Sequence, residues 1–164
     1  MNLHVSKLRA QSAMEYLMTY GWAILIIAVV LGALFSLGIF NTASLVGTSC
    51  IALSGYYCAS PVLSTSGVLT LTIGQATGTS YSNVIAYIVP SGSGLNTATD
   101  PSYSIGTLNS SQTVTATFSN LPGIGSSPRV GTVFTGQVWL VYTTTSASGA
   151  NLEAQIGTLT VKVS

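Results

Sequence analysis

The sequence predicts an α+β protein, in which a long N-terminal hydrophobic α-helix is followed by an all-β sandwich domain with an immunoglobulin-like outline. The helix is predicted by an apolar run from Trp22 to Phe40, which contains no charge and has no polar face. The β domain is predicted by the change after Asn41, where Ser, Thr and Gly become frequent and apolar residues alternate with polar ones. The 164 residues therefore divide into an apolar segment and one folded domain.

Charge is scarce throughout the chain, because only 4% of its residues are Asp, Glu, Lys or Arg, against roughly a quarter in a soluble domain. A free cytosolic enzyme is therefore not expected. The net charge is +1 and the basic residues form no stripe, so nucleic acid is not an expected partner. Eight Tyr, four Phe and two Trp supply enough apolar material for a core. The formal charges are those of Lys7, Arg9, Glu15, Asp100, Arg129, Glu153 and Lys162.

The apolar run is long enough to span the hydrocarbon layer as a helix, which takes about 20 residues. Lys7 and Arg9 precede it, so the positive-inside rule predicts a cytoplasmic N-terminus and an extracellular remainder. A secretory signal peptide would end at a small-residue cleavage site, which residues 40–43 match poorly, and an uncleaved signal anchor is the simpler alternative. Neither a signal peptide nor a signal anchor explains Glu15. An ionisable residue at the edge of a membrane helix indicates a functional role for that residue.

The segment from Lys7-Leu8-Arg9-Ala10 through QSAMEYLMTYGWAILIIAVV resembles the leader of archaeal type IV prepilins, the class III signal peptide family. The resemblance covers about 30 residues and rests on the order of a basic leader, a Gln, a Glu and an uninterrupted apolar helix. It implies that a prepilin peptidase cuts between Ala10 and Gln11 on the cytoplasmic side. Glu15 then becomes the fifth residue of the mature subunit, where pilins keep a glutamate. Ala10 departs from the family, in which many members have Gly.

This resemblance implies a structural subunit of an archaeal type IV pilus, polymerised into an extracellular adhesion filament. The implied domains are a cleaved leader at 1–10, a helix at 11–42 that lies first in the membrane and then in the filament core, and an extracellular β-sandwich at 43–164. The implied partners are further copies of the chain in a helical filament, the prepilin peptidase, a pilus assembly ATPase and a membrane platform protein. The precursor is expected in the cell membrane and the mature subunit in the pilus.

Two alternatives remain open from the sequence. An archaellin-like subunit of a motility filament would share the leader, although archaellins follow the cut with a Gly-rich segment, where this chain has Ser12-Ala13-Met14-Glu15-Tyr16. A membrane-anchored binding ectodomain that never polymerises would need only the helix and the β domain. No pattern of aromatic and acidic residues typical of a ligand pocket favours this second alternative.

Two features of the predicted helix suit assembly. Cleavage would free an amine on Gln11, four residues from Glu15 and therefore on the same helix face. Burying Glu15 without a partner is costly, whereas pairing it with an amine offsets much of the cost and fixes axial register. Ala28, Gly32 and Ser36 are spaced by four residues and form a ridge that permits close approach of another helix. Membrane helices also tolerate glycine without any such packing.

In the β domain, alternation of β-branched and polar residues predicts about seven short strands, with Trp139 as a core aromatic. The clearest strands are predicted at 68–73, 84–89, 113–118, 133–145 and 154–163. Turns are predicted at 91–94, 100–101, 122–123, 148–149 and 156–157.

Cys50 and Cys58 are the only cysteines, so a single intramolecular disulfide can form, closing a short loop at the start of the domain. An extracellular location favours the bond over the alternative of two unpaired thiols. Asn109-Ser110-Ser111 is the one N-glycosylation sequon, placed in a polar turn, and is either used or a chance match.

No catalytic constellation is expected in this chain. His4, the only histidine, lies in the predicted leader, which leaves no imidazole base for a Ser or Cys nucleophile. Asp100 and Glu153 are expected to be solvated surface carboxylates rather than a catalytic acid and base. A metal site cannot be built from two distant carboxylates and a disulfide. The sequence therefore predicts neither an enzyme nor a bound metal or cofactor.

Overall fold

The computed structural model describes residues 3–38, 46–144 and 149–164, with the backbone alone for residues 3–13 and 17. The chain divides into two compact units, Met1–Thr42 and Ala43–Ser164. An N-terminal helix followed by an antiparallel β domain of two sheets confirms the predicted α+β class. Residues 40–43, which include the predicted domain boundary, lie outside the described residues.

The helix α1 runs over Leu3–Ser36, 34 residues without a proline. Gly38 terminates it with a left-handed φ of 67° and donates its N–H to the carbonyl oxygen of Phe35 at 3.0 Å. Glycine is favoured at this position because it has no Cβ to clash in the left-handed conformation. The stretch Met14–Ser36 is long and apolar enough to cross a membrane. The last residues of the predicted helix, 39–42, lie outside the described part of the chain.

Among the described residues, the β domain has eight strands in two antiparallel sheets. The strands are β1 Ser49–Ala52, β2 Tyr56–Leu63, β3 Leu69–Gln75, β4 Tyr81–Pro90, β5 Ser102–Leu108, β6 Gln112–Phe118, β7 Val133–Thr143 and β8 Leu152–Lys162. A five-stranded sheet has the order β1-β8-β7-β4-β5, and a three-stranded sheet has the order β2-β3-β6.

Both sheets contribute to one hydrophobic core. Leu69, Leu71 and Ile73 of β3 are fully buried because every second residue of a strand points to the same face. Val138 and Leu140 enter the same core from β7 of the other sheet. The packing of apolar side chains between the sheets therefore holds the domain together.

The C-terminal residues connect the two sheets. Val163, just after β8, forms an isolated parallel bridge with Leu63 at the end of β2. The N–H of Ser164 donates to the carbonyl oxygen of Leu63 at 3.1 Å. Both Leu63 and Val163 are fully buried, so this junction belongs to the core.

The five strands predicted from alternation are present as β3, β4, β6, β7 and β8, with ends shifted by a few residues. The predicted end at Thr145 and the turn residue Ser148 lie outside the described residues. The predicted strands did not include β1, β2 or β5. β5 does alternate, with Ser102 and Ser104 exposed and Tyr103 and Ile105 less exposed, but its polar face carries Ser and Gly in place of the Thr residues that mark β3 and β6.

The turn predicted at Ile156-Gly157 is wrong, because both residues lie inside β8. Val138 pairs with Gly157 and Trp139 pairs with Gln155, so Ile156 is the extra residue of a β-bulge. Gly157 also faces β1, where a Cβ atom would lie only 2.7 Å from the carbonyl oxygen of Ile51. Glycine is therefore present for close strand approach rather than for a turn.

The prediction that Trp139 belongs to the core is also wrong. Val138 and Leu140 point into the core, so Trp139 between them lies on the opposite face of β7 and is half-buried. Its indole N–H donates to the side-chain oxygen of Gln137 at 3.0 Å. The indole N–H group suits the outer face of the sheet, because there it has a hydrogen-bond partner.

Candidate functional site: the apolar helix and a cleft in the β domain

The predicted assembly ridge lies on the surface of α1. Ala28, Gly32 and Ser36 share one face because a spacing of four residues corresponds to about one helical turn. All three are exposed, and a Cβ atom built on Gly32 would have no neighbour within 4 Å. The ridge is therefore open to a second helix.

Glu15 is an exposed carboxylate on the surface of α1. Its backbone carbonyl accepts a hydrogen bond from the Thr19 hydroxyl at 2.8 Å. The rings of Tyr16 and Tyr20 lie one turn apart on α1, with centroids 4.4 Å apart and planes tilted by 38°. An exposed carboxylate beside exposed aromatic rings is a surface that can form a specific helix contact.

The residues of the predicted leader and cleavage site lie in the first part of α1. Lys7, Arg9, Ala10 and Gln11 all have helical backbone. The peptide bond between Ala10 and Gln11 thus lies inside a continuous helix, and a peptidase would act on this bond after local opening of the helix.

The two carboxylates of the β domain lie apart from one another. Asp100 precedes β5 and accepts the backbone N–H of Asn96 at 2.7 Å, within a surface loop. Glu153 is exposed on β8. Since β7 and β4 separate β8 from β5, three strand spacings of about 4.8 Å place these two strands roughly 14 Å apart. Among the described residues, no group of three His, Cys, Asp or Glu side chains is arranged to hold a metal ion.

The two cysteines form the predicted disulfide, with Cα atoms 5.7 Å apart. Cys50 lies on β1 of the five-stranded sheet and Cys58 lies on β2 of the three-stranded sheet. The bond therefore joins two edge strands of different sheets next to the point where the chain enters the domain.

Three tyrosines form a cluster that alternation did not predict. Tyr81 and Tyr142 stack with ring centroids 3.9 Å apart, and the hydroxyl oxygens of Tyr56 and Tyr81 are 3.5 Å apart. The Thr77 hydroxyl lies 2.9 Å from the hydroxyl oxygen of Tyr81. Buried Gln75 supports the cluster, because its Oε1 accepts the N–H and the hydroxyl of Thr77 at 2.8 and 2.7 Å.

The cluster shifts the pKa values of its three tyrosine hydroxyls in different directions. Burial, together with hydrogen bonding to Tyr81, raises the pKa of Tyr56 strongly. Burial also raises the pKa of Tyr142. Burial opposes ionisation of Tyr81 as well, but hydrogen bonds with Thr77 and Tyr56 outweigh it and lower the pKa of Tyr81. A phenolate in this cluster would therefore form first on Tyr81.

A cleft of about 270 Å³ opens beside Tyr56 on the three-stranded sheet. Its walls include Tyr57 of β2 and Gln112 and Thr113 of β6, and none of its lining residues carries a formal charge. In the strand register, Gly74 stands between Tyr57 and Thr113. A Cβ atom at Gly74 would lie 2.6 Å from the carbonyl oxygen of Gln112, so glycine permits the close approach of β3 and β6 beside the cleft.

The predicted sequon lies next to this cleft. Asn109 is exposed, and its carbonyl oxygen accepts the N–H of Gln112 at 3.1 Å, which confirms a turn between β5 and β6. The Asn109 N–H in return donates to Oε1 of Gln112 at 3.0 Å. Ser111, the hydroxyl residue of the sequon, itself lines the cleft.

Comparison with known proteins found no matching family model and no matching curated protein. The one sequence signal for the cleft was the Tyr56-Tyr57 pair inside the disulfide loop. This pair does not specify a cleft before the strand register is known.

Proposed function

We propose that this chain is the structural subunit of an extracellular filament of the archaeal type IV pilus class. The observation that carries the proposal is the surface of α1, where the stretch Met14–Ser36 buries none of its described side chains within the chain. An apolar helix without a polar face requires lipid or other protein around it. The apolar stretch follows Lys7, Arg9, Gln11 and Glu15 in a prepilin-like order. This order favours a helix that lies first in the membrane and later in the filament core.

Burial of α1 supplies the driving force for assembly. Removing apolar area from water contributes about 25 cal/mol per Å². Large side chains such as Trp22, Ile24 and Phe35 are each about two-thirds exposed, so packing between copies would bury a large apolar area. The ridge at Ala28, Gly32 and Ser36 supports this packing because small residues let helix backbones approach closely.

Cleavage between Ala10 and Gln11 would act as the assembly switch. It would remove Lys7 and Arg9, which a filament core would otherwise have to bury without partners. It would also create an amine on Gln11 that pairs with Glu15 of its own or a neighbouring helix. The prepilin peptidase, an assembly ATPase and a membrane platform protein are the partners that this route requires.

The β domain would form the exposed surface of the filament and mediate adhesion. We propose an immunoglobulin-like sandwich for it, supported by two antiparallel sheets that share one core. Hydroxyl-bearing residues dominate the solvent face of β3 and β6, including Thr72 opposite Thr115. Such a face keeps the domain soluble although the chain has few charges.

The proposal is tested by electron microscopy and N-terminal sequencing of surface material from cells that express the chain. Filaments whose subunits begin at Gln11 are expected. Membrane-bound monomers that retain Met1 would overturn the proposal and favour an anchored ectodomain. Filaments that rotate and drive swimming would instead assign the chain to the archaellin-like alternative.

A further inference from the structure

We propose that the cleft on the three-stranded sheet binds the ring of an uncharged sugar. A pyranose ring presents one apolar face of C–H groups and a rim of hydroxyls. The cleft offers matching chemistry, because Tyr57 is about half exposed and provides an aromatic surface, while Gln112 and Thr113 provide an amide and a hydroxyl. Specific sites commonly combine an apolar wall with a few placed polar groups.

The charge of the cleft selects the class of sugar. All its lining residues are uncharged, so an acidic sugar would lose water around its carboxylate without gaining a positive partner. A neutral hexose or N-acetylhexosamine loses only hydroxyl and amide hydration, which side chains such as Gln112 and Thr113 can replace. The volume of about 270 Å³ suits a single ring rather than a long oligosaccharide.

Hydrogen bonds of the buried residue Gln75 hold part of the cleft lining in place. The Gln75 side-chain N–H groups donate to the carbonyl oxygens of Thr79 and Leu108 at 2.6 and 3.2 Å. Ser111 donates its backbone N–H to the carbonyl oxygen of Gln75 at 2.7 Å. The lining is therefore preorganised, which reduces the ordering cost of binding.

Two sources of sugar share this chemistry. One is a glycan on another cell or surface, which would make the cleft an adhesive site. The other is a glycan attached to Asn109, whose backbone N–H donates to the side chain of the cleft residue Gln112 at 3.0 Å. The biological setting rests on the proposed adhesive function, but sugar binding is a property of the subunit and is measured without filaments.

The test uses the full chain from a host that does not glycosylate it, solubilised in lauryldimethylamine oxide, which has no sugar headgroup. Saturation-transfer NMR is recorded with glucose, galactose, mannose, N-acetylglucosamine and glucuronic acid at up to about 50 mM, since a single ring binds in about the millimolar range. Transfer to at least one neutral sugar is expected, with weaker transfer to glucuronic acid. No transfer to any neutral sugar would overturn the proposal.

Variants locate the site. Tyr57→Ala should weaken binding roughly fivefold, equivalent to about 1 kcal/mol for one aromatic contact, and Tyr57→Trp should preserve it. Thr113→Ala should weaken binding, whereas Thr117→Ala, on the same face of β6 but outside the cleft, should not. Unchanged binding in a folded Tyr57→Ala variant would place the sugar elsewhere and overturn the proposal.

The same assay on protein from the native host shows whether the cleft takes an external glycan or a glycan attached to Asn109. If an Asn109 glycan fills the cleft, free sugar binds weakly and Asn109→Gln restores binding to the level of the unglycosylated chain. If the cleft serves external glycans, native protein and Asn109→Gln bind free sugar equally. Failure of filament formation would leave these results unaffected, so the cleft and the proposed function fail independently.

Discussion

Cys50 on β1 and Cys58 on β2 join the edge strand of the five-stranded sheet to an edge strand of the three-stranded sheet. Between these two strands the chain turns at Gly55, so the disulfide closes a short loop that spans both sheets. β1 has only four residues and pairs only with β8. The disulfide therefore fixes a strand that backbone pairing alone would hold weakly.

Reduction of this disulfide should destabilise the β domain by about 2.5 kcal/mol, the chain-entropy value for a loop of this length. For a domain of this size the melting temperature should fall by roughly 10 °C. Circular dichroism melts of the detergent-solubilised chain, with and without reductant, measure the change. The double variant Cys50→Ala/Cys58→Ala is the control, because its melting temperature should not respond to reductant. Equal melting of oxidised and reduced chains would contradict this role.

Gly157→Ala should loosen β1, because the new Cβ would lie 2.7 Å from the carbonyl oxygen of Ile51. Moving β1 away from β8 should cost about 1–3 kcal/mol, as overpacking does elsewhere. Faster hydrogen exchange at the β1 amides, together with a lower melting temperature, is the expected readout. Gly94→Ala is the matched control, since a Cβ there has no neighbour within 4 Å. Unaltered exchange in Gly157→Ala would show that the bulge at Ile156 absorbs the added methyl group.

The sequence pattern predicted the helix and the clearest strands better than it predicted the turns between strands. The helix is predictable over 22–36 because a helix is the one arrangement in which a single uninterrupted apolar segment satisfies its own backbone hydrogen bonds. Strands β3 and β6 are readable because Thr alternates with apolar residues on a half-exposed sheet. The turn predicted at Ile156-Gly157 was wrong because glycine occurs both in turns and where strands approach closely. Only the position of β1 distinguishes the two cases.

Some candidate sites are likewise predictable from the sequence, and one of them is not. Glu15, the ridge at Gly32 and the Cys50–Cys58 pair are local patterns, so sequence indicates them directly. The cleft brings β2 and β6 together across β3, although Tyr57 and Thr113 are far apart in the chain. The register pairs Tyr57 with Gly74 and Gly74 with Thr113, which brings these two cleft residues to the same level of the sheet. Long-range register of this kind is set by packing of the whole core rather than by a local motif.

The tyrosine cluster predicts a loss of stability in alkali. Tyr56 has a raised pKa, so it stays protonated in the folded domain where a tyrosine of the unfolded chain, with a pKa of about 10, ionises. Its stabilising contribution is complete below pH 10 and is lost as the pH rises further. Tyr142, also raised, acts in the same direction. Tyr81, whose pKa is lowered, adds stability as the pH approaches 10 and loses it as the pH falls.

The melting temperature should therefore change little from acid to neutral pH, where the β domain has few titrating groups, and should fall steeply above pH 10. Tyr56→Phe should make the alkaline fall shallower, because the most strongly shifted hydroxyl is removed. Tyr57→Phe, which leaves the three-tyrosine cluster intact, is the control. Thermal melts at half-unit steps of pH give the comparison. An equally steep fall in Tyr56→Phe would remove the cluster as its cause, and a large loss on acidification would contradict the expected flat region.

Glu15→Ala should reduce filament assembly more than membrane insertion. The helix stays apolar enough to insert without this carboxylate, but the proposed filament core would lose the group that is proposed to pair with the Gln11 amine and fix axial register. Weakening each subunit contact by about 1.4 kcal/mol lowers its association constant tenfold, so filament counts by electron microscopy should fall clearly while immunoblots show unchanged membrane-bound chain. Glu153→Ala, an exposed carboxylate on β8, is the matched control and should leave filament counts unchanged. Normal filament numbers in Glu15→Ala would show that helix packing sets the register without an ion pair.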